Sequence, residues 1–230
     1  MKLPAGFTVP GRTITEQDRK DYVLKLEKNL YGQKQAGRVW YLHLRKNLMK
    51  LGFQPSQHDE CVFYYGKTVF IVYTDDTILL GPDKDEIDLL VKRLSRSFKI
   101  EDQGDLSDYL GIKIERKPDG TLEWTQPTLI QSILKDLKLD GEEIKGRQNK
   151  PNIKPIPAHT SVPLTDHRDS PDHNPKDFEY RQVIGKLLYL EKSTRPDISC
   201  AVHQCARHCA NPKIQHTAAV KRIGRYLLGT

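Results

Sequence analysis

The stretch Val69-Phe70-Ile71-Val72-Tyr73-Thr74-Asp75-Asp76-Thr77-Ile78-Leu79-Leu80-Gly81, VFIVYTDDTILLG, sets two adjacent carboxylates inside an otherwise apolar, β-branched run. Valine, isoleucine, tyrosine and phenylalanine suit a pleated, half-buried backbone. The stretch therefore reads as two strands, Thr68–Thr74 and Thr77–Leu80, with Asp75 and Asp76 at the tip between them. Burying an unpaired carboxylate is costly, so the pair belongs where the strands end. Two readings stand here. One is a type I′-like turn whose aspartates face water. The other is a pair of hard oxygen ligands on a rigid support, which suits Mg²⁺. Phosphoryl transfer commonly uses two such ions about 4 Å apart.

The neighbouring sequence supports an α+β body. Cys61–Tyr65 is a further strand, joined to Thr68 by Gly66-Lys67. From Gly37, Trp40, Leu44, Leu48 and Leu51 fall on one helical face, and Gly52 follows as a stop. Tyr22–Leu26 alternates enough for a short strand, whereas residues 1–21 show little periodicity. Asp83 opens a helix with Glu86 as its capping-box partner and an apolar stripe of Ile87, Val91, Leu94 and Phe98. Tyr109–Glu115 and Thr121–Thr125 flank Pro118-Asp119-Gly120 as a second hairpin, and a helix follows Pro127. Residues 140–176 are rich in proline and polar side chains and read as an extended connector. Three helices are expected beyond it, over 177–192, 197–210 and 213–228.

Composition bounds the function. The 230 residues carry 37 Lys and Arg against 30 Asp and Glu, a net charge of +7 that is compatible with a polyanionic partner. No apolar run reaches the length of a membrane span, and the N-terminal residues form no secretory apolar core. Four cysteines without disulfide-like spacing point to a reducing compartment, so an intracellular setting, cytoplasmic or nuclear, is expected. No G-x-x-x-x-G-K-[ST] phosphate loop is present. Cys200, Cys205 and Cys209 with His203 and His208 admit a zinc reading, but their spacing fits buried helix packing better. His159, His167 and His173 are expected in solvent, and Trp40 and Trp124 in core or interdomain contacts. Lys221, Arg222 and Arg225 either track a nucleic-acid backbone or form a solvated face.

Six blocks carry a family resemblance. Tyr73-Thr74-Asp75-Asp76 resembles the Y-x-D-D signature of reverse transcriptases. The run from Leu30 to Tyr41, LYGQKQAGRVWY, resembles the L-Y-G-L-K-Q-A-P-R-x-W-Y segment of copia-type retrotransposon polymerases. Asp108–Ile114, DYLGIKI, is similar to their Y-F-L-G-I-E-I segment. Tyr180–Leu190, Thr194–Ile198 and Lys221–Thr230 resemble the Y-R-x-x-V-G-x-L-x-Y-L, T-R-P-D-I and K-R-I-L-R-Y-L-K-G-T blocks. Gln33, Gly37 and Thr74 depart from the usual leucine, proline, and valine or methionine.

The resemblance implies a partial polymerase palm over 1–126, an antiparallel sheet with packed helices. A thumb-like helix and proline-rich linker would cover 127–176, and a helical connection segment 177–230. It implies two-metal nucleotidyl transfer, with Asp75 and Asp76 as the catalytic ligands of Mg²⁺. Lys34, Gln35, Arg38 and Tyr73 would face nucleotide and template, where Lys34 and Arg38 could neutralise phosphates. For the lysine and arginine, a solvated first helical turn is the plain alternative. Leu110, Gly111 and Ile112 would form a primer-grip-like hairpin, although Gly111 also reads as a simple bulge or bend. The implied partners are an RNA template, a DNA primer and a deoxynucleoside triphosphate.

In the family, the segment resembling Met1–Phe7 follows the motif with the first palm aspartate, and ribonuclease H and integrase regions lie elsewhere. The expectation is therefore an RNA-directed DNA polymerase fragment with little or no activity alone. Its alternative is an inactive retrotransposon remnant that at most binds primer–template. A pseudogene product without a role is the third reading.

Overall fold

The computed structural model describes residues 2–11, 13–140, 153–159, 164–165, 171–174 and 176–230. It divides into two compact units, 1–103 and 104–230. Each combines α-helices with antiparallel strands, with seven α-helices and seven strands among the described residues.

In the first unit, α1 spans Glu16–Asp21 and is closed by a reciprocal cap between Thr15 and Asp18. No apolar repeat marks so short a helix; its signal is the cap chemistry, T-x-x-D. The strand expected over Tyr22–Leu26 does not form. Val23 makes one isolated bridge to Lys2 and is 70% exposed, so no buried face stabilises an extended segment there.

Helix α2 spans Ala36–Lys50 and buries Leu44 and Leu48. It ends at Gly52, whose φ of +100° is open to glycine at little cost. Gly52 N–H then bonds Met49 O, and Phe53 N–H bonds Leu48 O, the paired C-terminal closure that satisfies two otherwise orphaned carbonyls. Phe53 is thereby turned under the helix and is fully buried.

Strands β1 (Gln54–Pro55), β2 (Val62–Tyr65), β3 (Thr68–Tyr73) and β4 (Asp76–Leu80) form an antiparallel sheet in sequence order. Alternation along β3 turns Thr68, Phe70 and Val72 inward. They meet Leu44, Leu48, Phe53 and Phe63, with Leu90 and Leu94 of α3 (Lys84–Leu94). Full burial of Phe53 and Phe63 stabilises the unit by roughly 1.5–3 kcal/mol each relative to exposure.

Asp83 caps α3 by accepting from the N–H groups of Asp85 and Glu86. The expected capping box is not completed. Glu86 instead accepts the buried Thr68 hydroxyl at 2.6 Å, because a buried donor demands a partner more than an exposed cap does.

The second unit begins with β5 (Asp108–Tyr109), β6 (Ile112–Arg116) and β7 (Leu122–Thr125), an antiparallel sheet in that order. The single strand expected over Tyr109–Glu115 is broken at Leu110 and Gly111. Their φ values of +51° and +75° make a two-residue turn closed by the Tyr109–Ile112 pair.

Helices α4 (Pro127–Asp136), α5 (Tyr180–Ser193), α6 (Ser199–Ala206) and α7 (Ile214–Leu227) share one core with the segment around Phe178. A short 3₁₀ turn, Pro196–Ile198, leads into α6. Leu137, Ile184, Leu187, Leu190, Val202 and Ile223 are all almost wholly buried in that core. Gly224 of α7 lets α4 approach closely: a β-carbon there would stand 2.6 Å from a Leu137 methyl.

Much of the expected connector, 141–152, 160–163, 166–170 and 175, lies outside the described residues, as does His167. His173 departs from its expected place in solvent. It is buried, with Nε2 donating to the Phe178 carbonyl and Nδ1 paired with the Thr217 hydroxyl, both at 2.7 Å. Among the described residues, no helix is long and apolar enough to cross a membrane.

Candidate metal centre at the hairpin tip

The β3–β4 register fixes where each carboxylate stands. Tyr73 pairs with Asp76, Val72 with Thr77 and Ile71 with Ile78, which leaves Thr74 and Asp75 as a two-residue loop. Asp75 is therefore the tip, while Asp76 is the first residue of β4. Directly paired residues share a sheet face, so Asp76 lies with Tyr73, Ile71 and Ile78 on the face opposite the Phe70–Val72 core. Both aspartates and Tyr73 are exposed.

Of the two loop residues only Thr74 has positive φ, +56°. That differs from a type I′ turn, which requires it at both positions. A β-branched side chain in the left-handed region is disfavoured and persists only where its surroundings hold it. One such hold is visible: the Trp40 indole Nε1–H donates to the Thr74 carbonyl at 3.0 Å. Trp40 is itself fixed edge-on to Phe98, with ring centroids 5.8 Å apart.

A second tie comes from the loop before α2. The Tyr31 hydroxyl donates to Asp75 Oδ2 at 2.6 Å, and that carboxylate in turn pushes the phenol's ionisation above its usual range, first through the hydrogen bond and then through its charge. The Leu30–Gln33 turn presents the ring. Gln33 N–H bonds the Leu30 carbonyl, and Gln33 Oε1 accepts from Leu30 N–H. Gln33, where the resembling segment has leucine, thus closes its own turn.

Asp75 and Asp76 offer hard anionic oxygens of the kind Mg²⁺ takes from one or two carboxylates while keeping several waters. No group of three or more His, Cys, Asp or Glu side chains able to hold a metal occurs among the described residues. Two such carboxylates are a donor set suited to a largely hydrated hard cation.

Lys34, Gln35 and Arg38 are exposed at the start of α2, and Gln35 is its N-cap without a side-chain cap bond. Among the described residues, no hydrogen bond or ion pair joins these three to either aspartate. The block around them contributes Tyr31 and Trp40 to the hairpin instead. Trp40 thus has a specific role at the turn, and Tyr31 was not singled out by sequence at all. Its signal was membership of the LYGQKQAGRVWY block.

In the second unit, Leu110 and Gly111 form the tight turn before Ile112. The Tyr189 hydroxyl of α5 donates to the Leu110 carbonyl at 2.5 Å, tying that turn to the helices. Gly111 has open space around a would-be β-carbon, so its positive φ alone accounts for glycine.

Two C-terminal blocks bind each other. Arg195 makes a two-pronged pair with Asp197 at 2.8–2.9 Å and donates to the Thr230 hydroxyl, while the Tyr226 hydroxyl donates to Asp197. The Arg195 hydrogen bonds hold the Asp197 carboxyl below its usual range. T-R-P-D-I therefore has a structural role in joining the 3₁₀ turn to the end of α7. Arg222 of the basic cluster bonds the Ile156 carbonyl, which makes it partly structural as well.

The four cysteines are free. Cys205 packs in the core, and burial pushes its thiol up to about 12. Trp124 is half exposed on β7, not a core anchor.

A family profile described as reverse transcriptase (RNA-dependent DNA polymerase) matches residues 1–148. The Retrovirus-related Pol polyprotein from transposon RE2 of Arabidopsis thaliana is 36% identical over 236 aligned positions, covering all of this chain and 15% of that protein. The corresponding polyprotein from transposon TNT 1-94 of Nicotiana tabacum is 34% identical over 241 positions, again across the whole chain and 17% of its own length. The chain thus spans about a sixth of the length of these two relatives. No solved structure gives a significant match.

Proposed function

Because this chain belongs to the reverse transcriptase (RNA-dependent DNA polymerase) family, with copia-type Pol polyproteins among its relatives, we propose that its hairpin tip serves RNA-directed DNA synthesis. The observation that carries this reading is the exposed Asp75–Asp76 pair, held at a two-residue turn by Tyr31 and Trp40.

In this proposal Asp75 and Asp76 hold the Mg²⁺ ions. Their bound charge would stabilise the oxyanions of an in-line nucleotidyl transfer. Tyr73, beside Asp76 on the exposed sheet face, would border the primer terminus. Lys34 and Arg38 would neutralise phosphates and Gln35 would face nucleotide or template. Their exposed position at the start of α2, in the same block as Tyr31, supports that assignment. Leu110, Gly111 and Ile112 would guide the primer strand. The segments 1–126, 127–176 and 177–230 remain proposed as partial palm, thumb with linker, and connection.

The same donor set argues for weak activity of the 230-residue polypeptide by itself. Two ions and a triphosphate need carboxylates from more than one strand, and the described residues bring only one strand's worth together. This favours a second reading for the polypeptide alone, a non-enzymatic primer–template-binding module. Strand β4 is an outer strand of its sheet, open to pairing with a strand that brings the further carboxylate.

Primer extension on an RNA template, run with the native polypeptide and Asp75→Asn, tests the activity claim. No Asp75-dependent incorporation is expected. Incorporation lost in Asp75→Asn would overturn the proposed insufficiency. Salt-dependent binding to an RNA–DNA duplex is expected for either reading, and its absence would contradict both.

A further inference from the structure

An exposed tyrosine hydroxyl seldom has a structural task. Tyr31 is 87% exposed, so its ring adds little to the core. A hydrogen bond in such a position contributes little to net stability, since water offers the phenol and the carboxylate nearly equivalent partners. Yet the chain fixes this phenol with care. Gly32 at φ +87° and the Gln33 side chain shape the turn that presents it. The Trp40–Thr74 bond independently anchors the start of α2 to the same hairpin tip.

The partner is specific as well. The phenol reaches Oδ2 of Asp75, the tip carboxylate, at 2.6 Å, a short charge-assisted contact. A lone aspartate on a two-residue turn rotates freely about its side-chain bonds, and a cation must then arrest that motion. With Oδ2 held, Oδ1 has a set direction. Outer partners of this kind fix the orientation of metal-ligating carboxylates, and removing them typically weakens metal binding about 10–100-fold.

We propose that Tyr31 is a positioning residue for a divalent-cation site at Asp75: its hydroxyl holds Oδ2 so that Oδ1 and the Asp76 carboxylate meet the ion in a fixed arrangement. This rests on the reading of Asp75 and Asp76 as metal ligands given above. The hydroxyl stays protonated and donates throughout, and no covalent step involves it.

The experiment uses the 230-residue chain with Mn²⁺ as the probe, following the free-ion electron paramagnetic resonance signal in the native protein, Tyr31→Phe and Asp75→Asn. Urea midpoints check the fold of each variant. About tenfold weaker Mn²⁺ binding in Tyr31→Phe, at an unchanged urea midpoint, is expected. Loss of the Asp75-dependent site in Asp75→Asn is expected too.

If Tyr31→Phe binds Mn²⁺ as well as or better than the native protein while Asp75→Asn does not, the positioning role is overturned and the metal reading survives. If native protein and Asp75→Asn bind alike, the metal reading fails and takes this inference with it.

Discussion

Thr74→Asn is expected to stabilise the first unit. Thr74 sits at φ +56°, and the left-handed region costs an ordinary L-residue roughly 1–2 kcal/mol. Asparagine tolerates that region through its short polar side chain, and it avoids the extra unfolded-state entropy of glycine, about 0.5–1 kcal/mol. The Thr74 side chain is exposed, and the bond from Trp40 goes to the backbone carbonyl, which the substitution keeps. The net gain should therefore be about 1 kcal/mol. With a urea slope of roughly 1–3 kcal/mol/M, the midpoint should rise by about 0.3–1 M. Fluorescence resolves the units, because one of the two tryptophans, Trp40, lies in the first unit and the other, Trp124, in the second. The Trp40 transition should move. An unchanged or lowered Trp40 midpoint would refute the idea that the tip stores backbone strain.

Gly224→Ala should destabilise the second unit by about 1–3 kcal/mol, seen as a lower Trp124 midpoint, because its methyl would press on Leu137 and Leu139. Asp197 should make that unit acid-sensitive. Its folded carboxyl is held below the ordinary value of 3.8 by Arg195, so its stabilising effect is complete above the unfolded value and is lost as pH falls through the folded one. A Trp124 melting temperature that falls below about pH 4, less steeply in Asp197→Asn, is the expected outcome. Thiol labelling at neutral pH should reach exposed Cys61 and Cys200 but spare Cys205 until the protein is unfolded, and metal analysis should find no stoichiometric zinc.

The sequence was most informative where periodicity and turn chemistry agreed. Alternation in Thr68–Leu80 placed both strands and put the aspartates at their junction, because the core accepts Phe70 and Val72 but not a charge. Leu44, Leu48 and Gly52 likewise marked one helix and its end. Misreadings arose where a distant partner decided the outcome. Glu86 abandoned its cap for Thr68, eighteen residues away in sequence. His173 was drawn from an apparently polar segment into the core by Thr217 and Phe178. The break at Leu110 was hidden because leucine carries no turn signal, and only the following glycine hinted at it. At the candidate site, composition could identify Asp75 and Asp76. It could not show that Tyr31, forty-four positions earlier, would reach Asp75.

Amide NMR of the chain titrated with Mn²⁺ tests the central claim, that the hairpin tip is a divalent-cation site, most directly. Signals of residues 73–77 should broaden before all others, and an Asp75→Asn/Asp76→Asn double variant should lose that selective broadening. Broadening centred elsewhere, or persisting at the tip in the double variant, would contradict the account.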